Sequence, residues 1–204
     1  MFGILQISGV SAYNPLVVAL IVLAAGGAVA ATYLYREARG TLDNRESFAW
    51  LLGMLGFFAL LVSGELFWAN WAGFPAQQYT ELFGVAQTLW AATLLSAAFV
   101  VYRDLDPRPF AWLTAVAGVL LLQGARAILA FDLTQAPLAA AGIWASAGLA
   151  GILLLPAAYV DESSSARRYL VLAAAALVAV MAVLALVTGV GAHYSHIAEA
   201  AAGS

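Results

Sequence analysis

Residues 110–131 read FAWLTAVAGVLLLQGARAILAF, and this stretch decides the fold class. It contains no proline, and Arg126 is its one charged residue. An α-helix rises about 1.5 Å per residue, so a helix of this length crosses the ~30 Å hydrocarbon core of a bilayer. The stretch therefore predicts a transmembrane helix.

Five further stretches of the same character surround it, so the sequence predicts six spans. The other five are Pro15–Tyr35, Phe48–Trp71, Thr80–Tyr102, Leu138–Val160 and Tyr169–His193. Of the 204 residues, 64% are hydrophobic and 9% charged, whereas a soluble domain has about one half and one quarter. The connections are short, so successive helices are expected to be antiparallel neighbours. The sequence thus predicts an all-α polytopic membrane protein, a single domain over residues 1–204 formed by a bundle of six transmembrane helices.

Arginine residues predict the orientation of this bundle. Loops with an excess of basic residues stay on the cytoplasmic side of a membrane. Seven of the eight basic residues lie in three loops, which alternate with loops that have none. They are Arg36, Arg39, Arg45, Arg103, Arg108, Arg167 and Arg168. We therefore expect a multi-pass protein of the cytoplasmic membrane, with the arginine loops cytoplasmic and both termini extracytoplasmic.

Reporter fusions test this orientation. A reporter fused after Ser204 and a second one inserted within Glu162–Ala166 are expected to give opposite signals, because the positive-inside rule places the two sites on opposite sides. The measurement compares alkaline phosphatase activity with green fluorescent protein fluorescence at both sites. Matching signals would contradict the orientation.

A four-residue sequence, FAWL, occurs twice, at Phe48–Leu51 and at Phe110–Leu113. Each copy follows an arginine loop and opens a predicted span. Trp50 and Trp112 are therefore expected at the inner membrane interface, where amphipathic aromatic side chains prefer to lie. Duplication of a helical segment and shared interface chemistry both explain the repeat.

Arg126 is the one basic residue outside the loops, and a charge at its depth costs a few kcal/mol unless it is paired or reaches water. Arg126 and Glu65 each lie about 24 Å along their helices from the arginine end, and Glu81 begins the next helix from the outer side. An ion pair of Arg126 with Glu65 or Glu81 is therefore predicted. Gln123 and Asp132 share this outer level.

These polar residues have two interpretations. One is an outward-facing polar pocket, because polar residues inside membranes usually face the bundle interior or a wet cavity. The other is an ordinary interfacial belt, with the Arg126 side chain extending outward to the headgroups. Further side chains predicted at the same level are Trp68, Asn70, Trp71, Gln77, Gln78, Tyr79, Gln87, Trp90 and Tyr194.

Residues 193–199 read HYSHIAE, which is a candidate metal site. His193 and His196 are three residues apart and share one face of a helix. Imidazole together with carboxylate suits a Zn, Cu or Fe ion, so these histidines and one of Glu199, Glu65 or Glu81 are candidate ligands. Interfacial histidines, or a helix C-terminus that favours protonated histidine, are the alternatives.

Residue types that the chain lacks exclude several classes of protein. There is no cysteine, which excludes disulfides, thiolate metal sites and thiol catalysis. There is no lysine, so retinal cannot be held as a Schiff base. The two histidines lie on one helix turn and cannot ligate both faces of a haem within one chain. No basic patch suits nucleic acid.

Three stretches resemble a known family: YTELFG at 79–84, LDPRPFAWLTAVAGVLLLQGARAILAF at 105–131 and TGVGAHYSHI at 188–197. They resemble the archaeal and bacterial membrane-protein family called domain of unknown function 981, over most of the chain. The resemblance implies a multi-helix membrane protein with no established activity, and it carries no site residues.

Three functions are compatible with these observations. Short loops and small residues in the fifth span, such as Gly142, Ser146 and Gly151, favour an accessory or structural subunit of a larger membrane assembly. Its partners would be the lipid bilayer and other membrane subunits or a second copy of itself, and those small residues would pack inside the bundle or against a partner. One alternative is small-ligand binding or transport through the outer pocket. Another is a metal-dependent membrane enzyme that uses His193, His196 and a carboxylate.

Overall fold

The structure is a computed structural model that describes residues 14–68 and 80–202. Within these residues it contains six long helices and no strand. Each helix has a segment long and apolar enough to cross a membrane, so the prediction of an all-α, multi-pass bundle is confirmed; its orientation stays a prediction. The elements are α1 (Pro15–Arg39), α2 (Arg45–Trp68), a π-helical turn (Thr80–Gly84) leading into α3 (Val85–Arg103), α4 (Arg108–Phe131), α5 (Pro137–Tyr159) and α6 (Ser165–Ala202).

The helix ends follow local sequence signals. Asn14 caps α1 by accepting a hydrogen bond from the backbone amide of Leu16 at 2.9 Å, and Pro15 occupies the first turn, where its missing N–H costs nothing. Gly40 ends α1 with φ of 65°, a left-handed conformation that glycine adopts without strain. Asp104 and Asp132 take the same conformation after α3 and α4.

The sixth helix extends beyond its predicted span. The apolar stretch ends near His193, but α6 continues to Ala202 and has 38 residues. Residues 197–202 read IAEAAA, a sequence of mostly strong helix formers. Hydropathy therefore marks where this helix leaves the apolar layer, while helix propensity carries it further.

The helices are arranged in a closed ring. Each helix packs against the next in the order α4, α5, α6, α1, α2 and α3, so that α1 lies directly against α6. The ring closes between α3 and α4, whose contact is the least extensive of the six. Sequential helices are thus neighbours as expected, and the contact of the first helix with the last turns the row into a ring.

Glycines bring α4 and α5 into backbone contact. A Cβ built on Gly148 would lie 2.7 Å from the carbonyl oxygen of Gly118, and one built on Gly151 would overlap the backbone of Thr114. The hydroxyl of Thr114 also donates a hydrogen bond to the carbonyl of Gly151 at 3.1 Å. The small residues of the fifth span therefore pack inside the bundle at these positions.

The two FAWL sequences occupy equivalent places. Trp50 of α2 packs edge-on against Tyr102, with 6.2 Å between ring centroids. Trp112 of α4 donates a hydrogen bond to the hydroxyl of Tyr159 at 3.0 Å. In both cases the tyrosine lies in the last turn of the next helix, and both tryptophans are exposed at the arginine-loop end. Each tryptophan thus contacts a tyrosine at the end of the helix that follows its own.

Candidate functional site

The structure places Arg126 and Gln123 together on the exposed face of α4. Among the described residues, no ion pair joins Arg126 to Glu65. The reason is the order of the ring: α3 lies between α2 and α4, so equal depth does not bring these side chains together. The side chain of Glu81, the other predicted partner, lies outside the described residues.

The two histidines of the candidate metal site differ in exposure and in their contacts. His193 is exposed, whereas His196 lies with its Nε2 2.9 Å from the side-chain amide nitrogen of Asn14, within hydrogen-bonding distance. In the part of the chain that the structure describes, no three His, Asp or Glu side chains lie close enough together to hold a metal ion. The side chain of Glu199 falls outside that part.

Two cavities lie inside the helix ring, one toward each end. The first has a volume of about 560 Å³ and reaches the arginine loops. The second has a volume of about 940 Å³ and lies at the opposite end, where Asp132 and His196 contribute to its wall. Residues of all six helices line each cavity, and most of the wall is apolar. Both volumes lie in the range of small-molecule sites, about 300–1,000 Å³.

Three side chains form the partition between the cavities. Trp90 of α3, Leu121 of α4 and Ala147 of α5 line both of them. The Trp90 indole extends across to α1, where a Cβ built on Gly26 would lie 3.2 Å from Cζ2 and 3.3 Å from Nε1. Glycine at position 26 makes this close approach possible. The two cavities therefore lie on one axis and are separated at the level of Trp90.

Charged side chains surround the mouth of the first cavity. Arg167 of α6 donates a hydrogen bond to Glu37 of α1 at 2.6 Å, and both side chains are only 20% exposed. Arg45 and Asp104 form a second ion pair at 2.9 Å, which is much more exposed. The attraction between opposite charges grows as water is excluded, so the Glu37–Arg167 pair is the stronger link. It joins the first and last helices of the ring.

Three residues that line the second cavity carry buried polar side-chain atoms that have no hydrogen-bond partner among the described residues. They are Nε2 of Gln87, Nε1 of Trp90 and Oγ1 of Thr134. By contrast, Thr114 and Ser146 are buried and hydrogen-bonded to backbone carbonyls. Buried polar groups are normally paired, and an unpaired one costs about 1–3 kcal/mol. Water or a ligand in the second cavity would supply partners for them.

Sequence reasoning found part of this set. Gln87 and Trp90 were both predicted at the outer level of the membrane; in the structure Gln87 lines the second cavity and Trp90 lies in the partition between the two cavities. Thr134 lies in the loop between α4 and α5, where no periodicity marks it. Gly26 was also missed, since its role depends on the Trp90 side chain of another helix.

A polar contact fixes the start of α3. The π-helical turn ends at Gly84, whose carbonyl accepts hydrogen bonds from the hydroxyls of Ser63 at 3.3 Å and Thr88 at 2.8 Å. The ring of Phe67 packs against Gly84, 3.0 Å from the position of a Cβ built there. Turns of π-helix occur frequently at functional sites, and this one ties the cavity-lining segment of α3 to α2.

Comparison with known proteins gives a family for the chain but no relative of known activity. The family described as "Protein of unknown function (DUF981)" matches residues 11–199, which include all six predicted spans. No curated protein and no solved structure matches the chain. The resemblance noted in the sequence is confirmed, and the chain belongs to the DUF981 family of proteins of unknown function.

Proposed function

We propose that this protein binds a small, mostly apolar molecule inside the helix ring and lets it pass along the axis between the two sides of the membrane. The observation that carries the proposal is the pair of cavities that share Trp90, Leu121 and Ala147. In a fully packed bundle, core side chains would fill the space that these cavities occupy. One layer containing a tryptophan separates them, and rotation of a single side chain can change the width of such a partition.

The contact between α3 and α4 supports the same function. It is the least extensive contact of the ring, and α3 carries Trp90 while α4 carries Leu121. A small shift of α3 relative to α4 would change the partition without disturbing the tightly packed α4–α5 pair. Sliding of packed helices is a common way to open a closed site.

Cysteine accessibility tests the proposal, and the chain offers a clean background because it has no cysteine. Three variants report on the axis: Ala97→Cys in the first cavity, Ala140→Cys in the second and Ala147→Cys in the partition. A membrane-impermeant thiol reagent is applied from either side of membrane vesicles. Val183→Cys, at an exposed position in the middle of α6, serves as the lipid-facing control.

We expect the thiols at positions 97 and 140 to react from opposite sides only, and the thiol at position 147 to react from both. Each should react about tenfold faster than the thiol at position 183, because the reactive thiolate forms in water and not in lipid. If the thiols at positions 97, 140 and 147 react no faster than the control, the interior is closed and the proposal fails.

A second function is favoured by one observation on the outer surface. Gln123 and Arg126 lie on the exposed face of α4, and polar side chains in a membrane span usually face protein or water. A partner helix would cover them if the chain is a subunit of a larger assembly. Crosslinking from Gln123→Cys in native membranes tests this role, and retrieval of lipid alone would speak against it.

A further inference from the structure

Two neutral hydrogen-bond donors of α3 contribute to the second cavity. The side chain of Gln87 is almost fully buried, at 5% exposure, and its amide nitrogen has no partner among the described residues. The indole nitrogen of Trp90 is buried and unpaired in the same way. The two residues are three apart in α3, so they share one face of the helix, and both line the second cavity.

The charge of this cavity restricts the ligand. Its described lining contains no arginine, and its one acidic residue is Asp132. His196 is its one histidine, and with a neutral imidazole there an anion would meet no opposite charge and one like charge. Donors without positive charge, set in a mostly apolar wall, suit a neutral oxygen acceptor. A third unpaired group, the hydroxyl of Thr134, lies in the same wall.

We propose that the second cavity selects neutral, mostly apolar molecules whose carbonyl or hydroxyl oxygens accept hydrogen bonds from Gln87 and Trp90 once these side chains turn toward the ligand, because both nitrogens are buried in the present conformation. This inference rests on the proposed function, because it assigns a chemical class to the molecule that the axis accommodates. A site with buried donors discriminates strongly against an analogue that lacks the acceptor, since the donors then stay unpaired. The apolar wall alone would not distinguish the two molecules.

A matched pair of probes tests the selectivity. 2-Adamantanone carries a carbonyl group, and 2-methyleneadamantane has nearly the same shape with a carbon in place of the oxygen. Binding of each to the full chain in lipid nanodiscs is measured by equilibrium dialysis, and protein-free nanodiscs correct for partition into lipid. We expect the ketone to bind about tenfold more tightly than the alkene, the difference that one hydrogen bond provides.

Two conservative variants assign this preference to the donors. Gln87→Leu and Trp90→Phe remove one donor each and keep most of the side-chain volume, so each should reduce the preference to about threefold or less. Met181→Leu is the matched control, because Met181 lines the same cavity but carries no hydrogen-bond donor, and it should keep the full preference. The melting temperature of each variant without a probe checks that it still folds, because Trp90→Phe also removes buried side-chain volume.

The outcomes separate this inference from the proposed function. Equal binding of the two probes to the unmodified chain, or no binding above the protein-free nanodiscs, overturns the selectivity. If the thiol at position 147 still reacts from both sides in that case, the proposed passage along the axis stands without the selectivity. A preference for the ketone together with an unreactive thiol at position 147 supports the selective site and contradicts passage through the partition.

Discussion

Replacement of Gly151 by alanine is expected to lower the free energy of unfolding by about 2–3 kcal/mol, the range for overpacking in a tight interior. The new Cβ would overlap the backbone carbonyl of Thr114, and a backbone atom cannot rotate away as a side chain can. The shift that relieves the overlap also weakens the hydrogen bond from Thr114 to the carbonyl of Gly151. Reversible unfolding in mixed micelles, followed by helical circular dichroism, measures the loss.

The same substitution at Gly191 of α6 is the control. No atom lies within 4 Å of a Cβ built there, and alanine is a better helix former than glycine by about 1 kcal/mol. Gly191→Ala should therefore leave the stability unchanged or raise it. Equal losses from Gly151→Ala and Gly191→Ala would contradict the close contact of α4 with α5.

Glu37→Gln is expected to cost about 2 kcal/mol of unfolding free energy. It leaves the guanidinium of Arg167 without its counter-charge at a site where both side chains are only 20% exposed. Loss of one partner from a fully buried pair costs about 3–5 kcal/mol, and the residual exposure here reduces that figure. The same unfolding assay in mixed micelles measures the effect.

Two further variants show whether the ion pair is the cause. Glu37→Gln combined with Arg167→Gln should recover part of the loss, because no uncompensated charge then remains. Asp104→Asn breaks the exposed pair with Arg45 and should cost less than about 1 kcal/mol. Arg167→Gln alone completes the comparison. If the double variant loses as much stability as Glu37→Gln and Arg167→Gln lose together, Glu37 and Arg167 do not interact.

Residue counting predicts the depth of a residue in this bundle, but it does not predict the direction of its side chain around the helix. Each span is apolar for most of its length, so residue counting from its arginine end gives a level in the membrane. Arg126 and Glu65 were placed at one level in this way. The direction of a side chain depends on which helices are neighbours, and α3 separates the helices that carry these two residues. Apolar residues occur on all sides of a membrane helix, so periodicity does not mark the inner face.

Contacts between distant parts of the chain were also not predictable from the sequence. Glu37 and Arg167 are 130 residues apart, and short loops predict only contacts between successive helices. The closure of the ring by α1 and α6 brings this pair together. The partition depends on the same closure, since Trp90 of α3 reaches Gly26 of α1 only in the assembled ring.

The aromatic pairs Trp50–Tyr102 and Trp112–Tyr159 lie at one end of the bundle, and this has a consequence for bilayers of different thickness. Such side chains hold their end at the headgroup level. The 38 residues of α6 extend about 57 Å, so the opposite end of this helix reaches beyond a ~30 Å hydrocarbon core. The aromatic end of the protein thus keeps its position in one leaflet. A thicker bilayer is accommodated at the other leaflet, where more of α6 enters the hydrocarbon and the bilayer thins around the shorter helices.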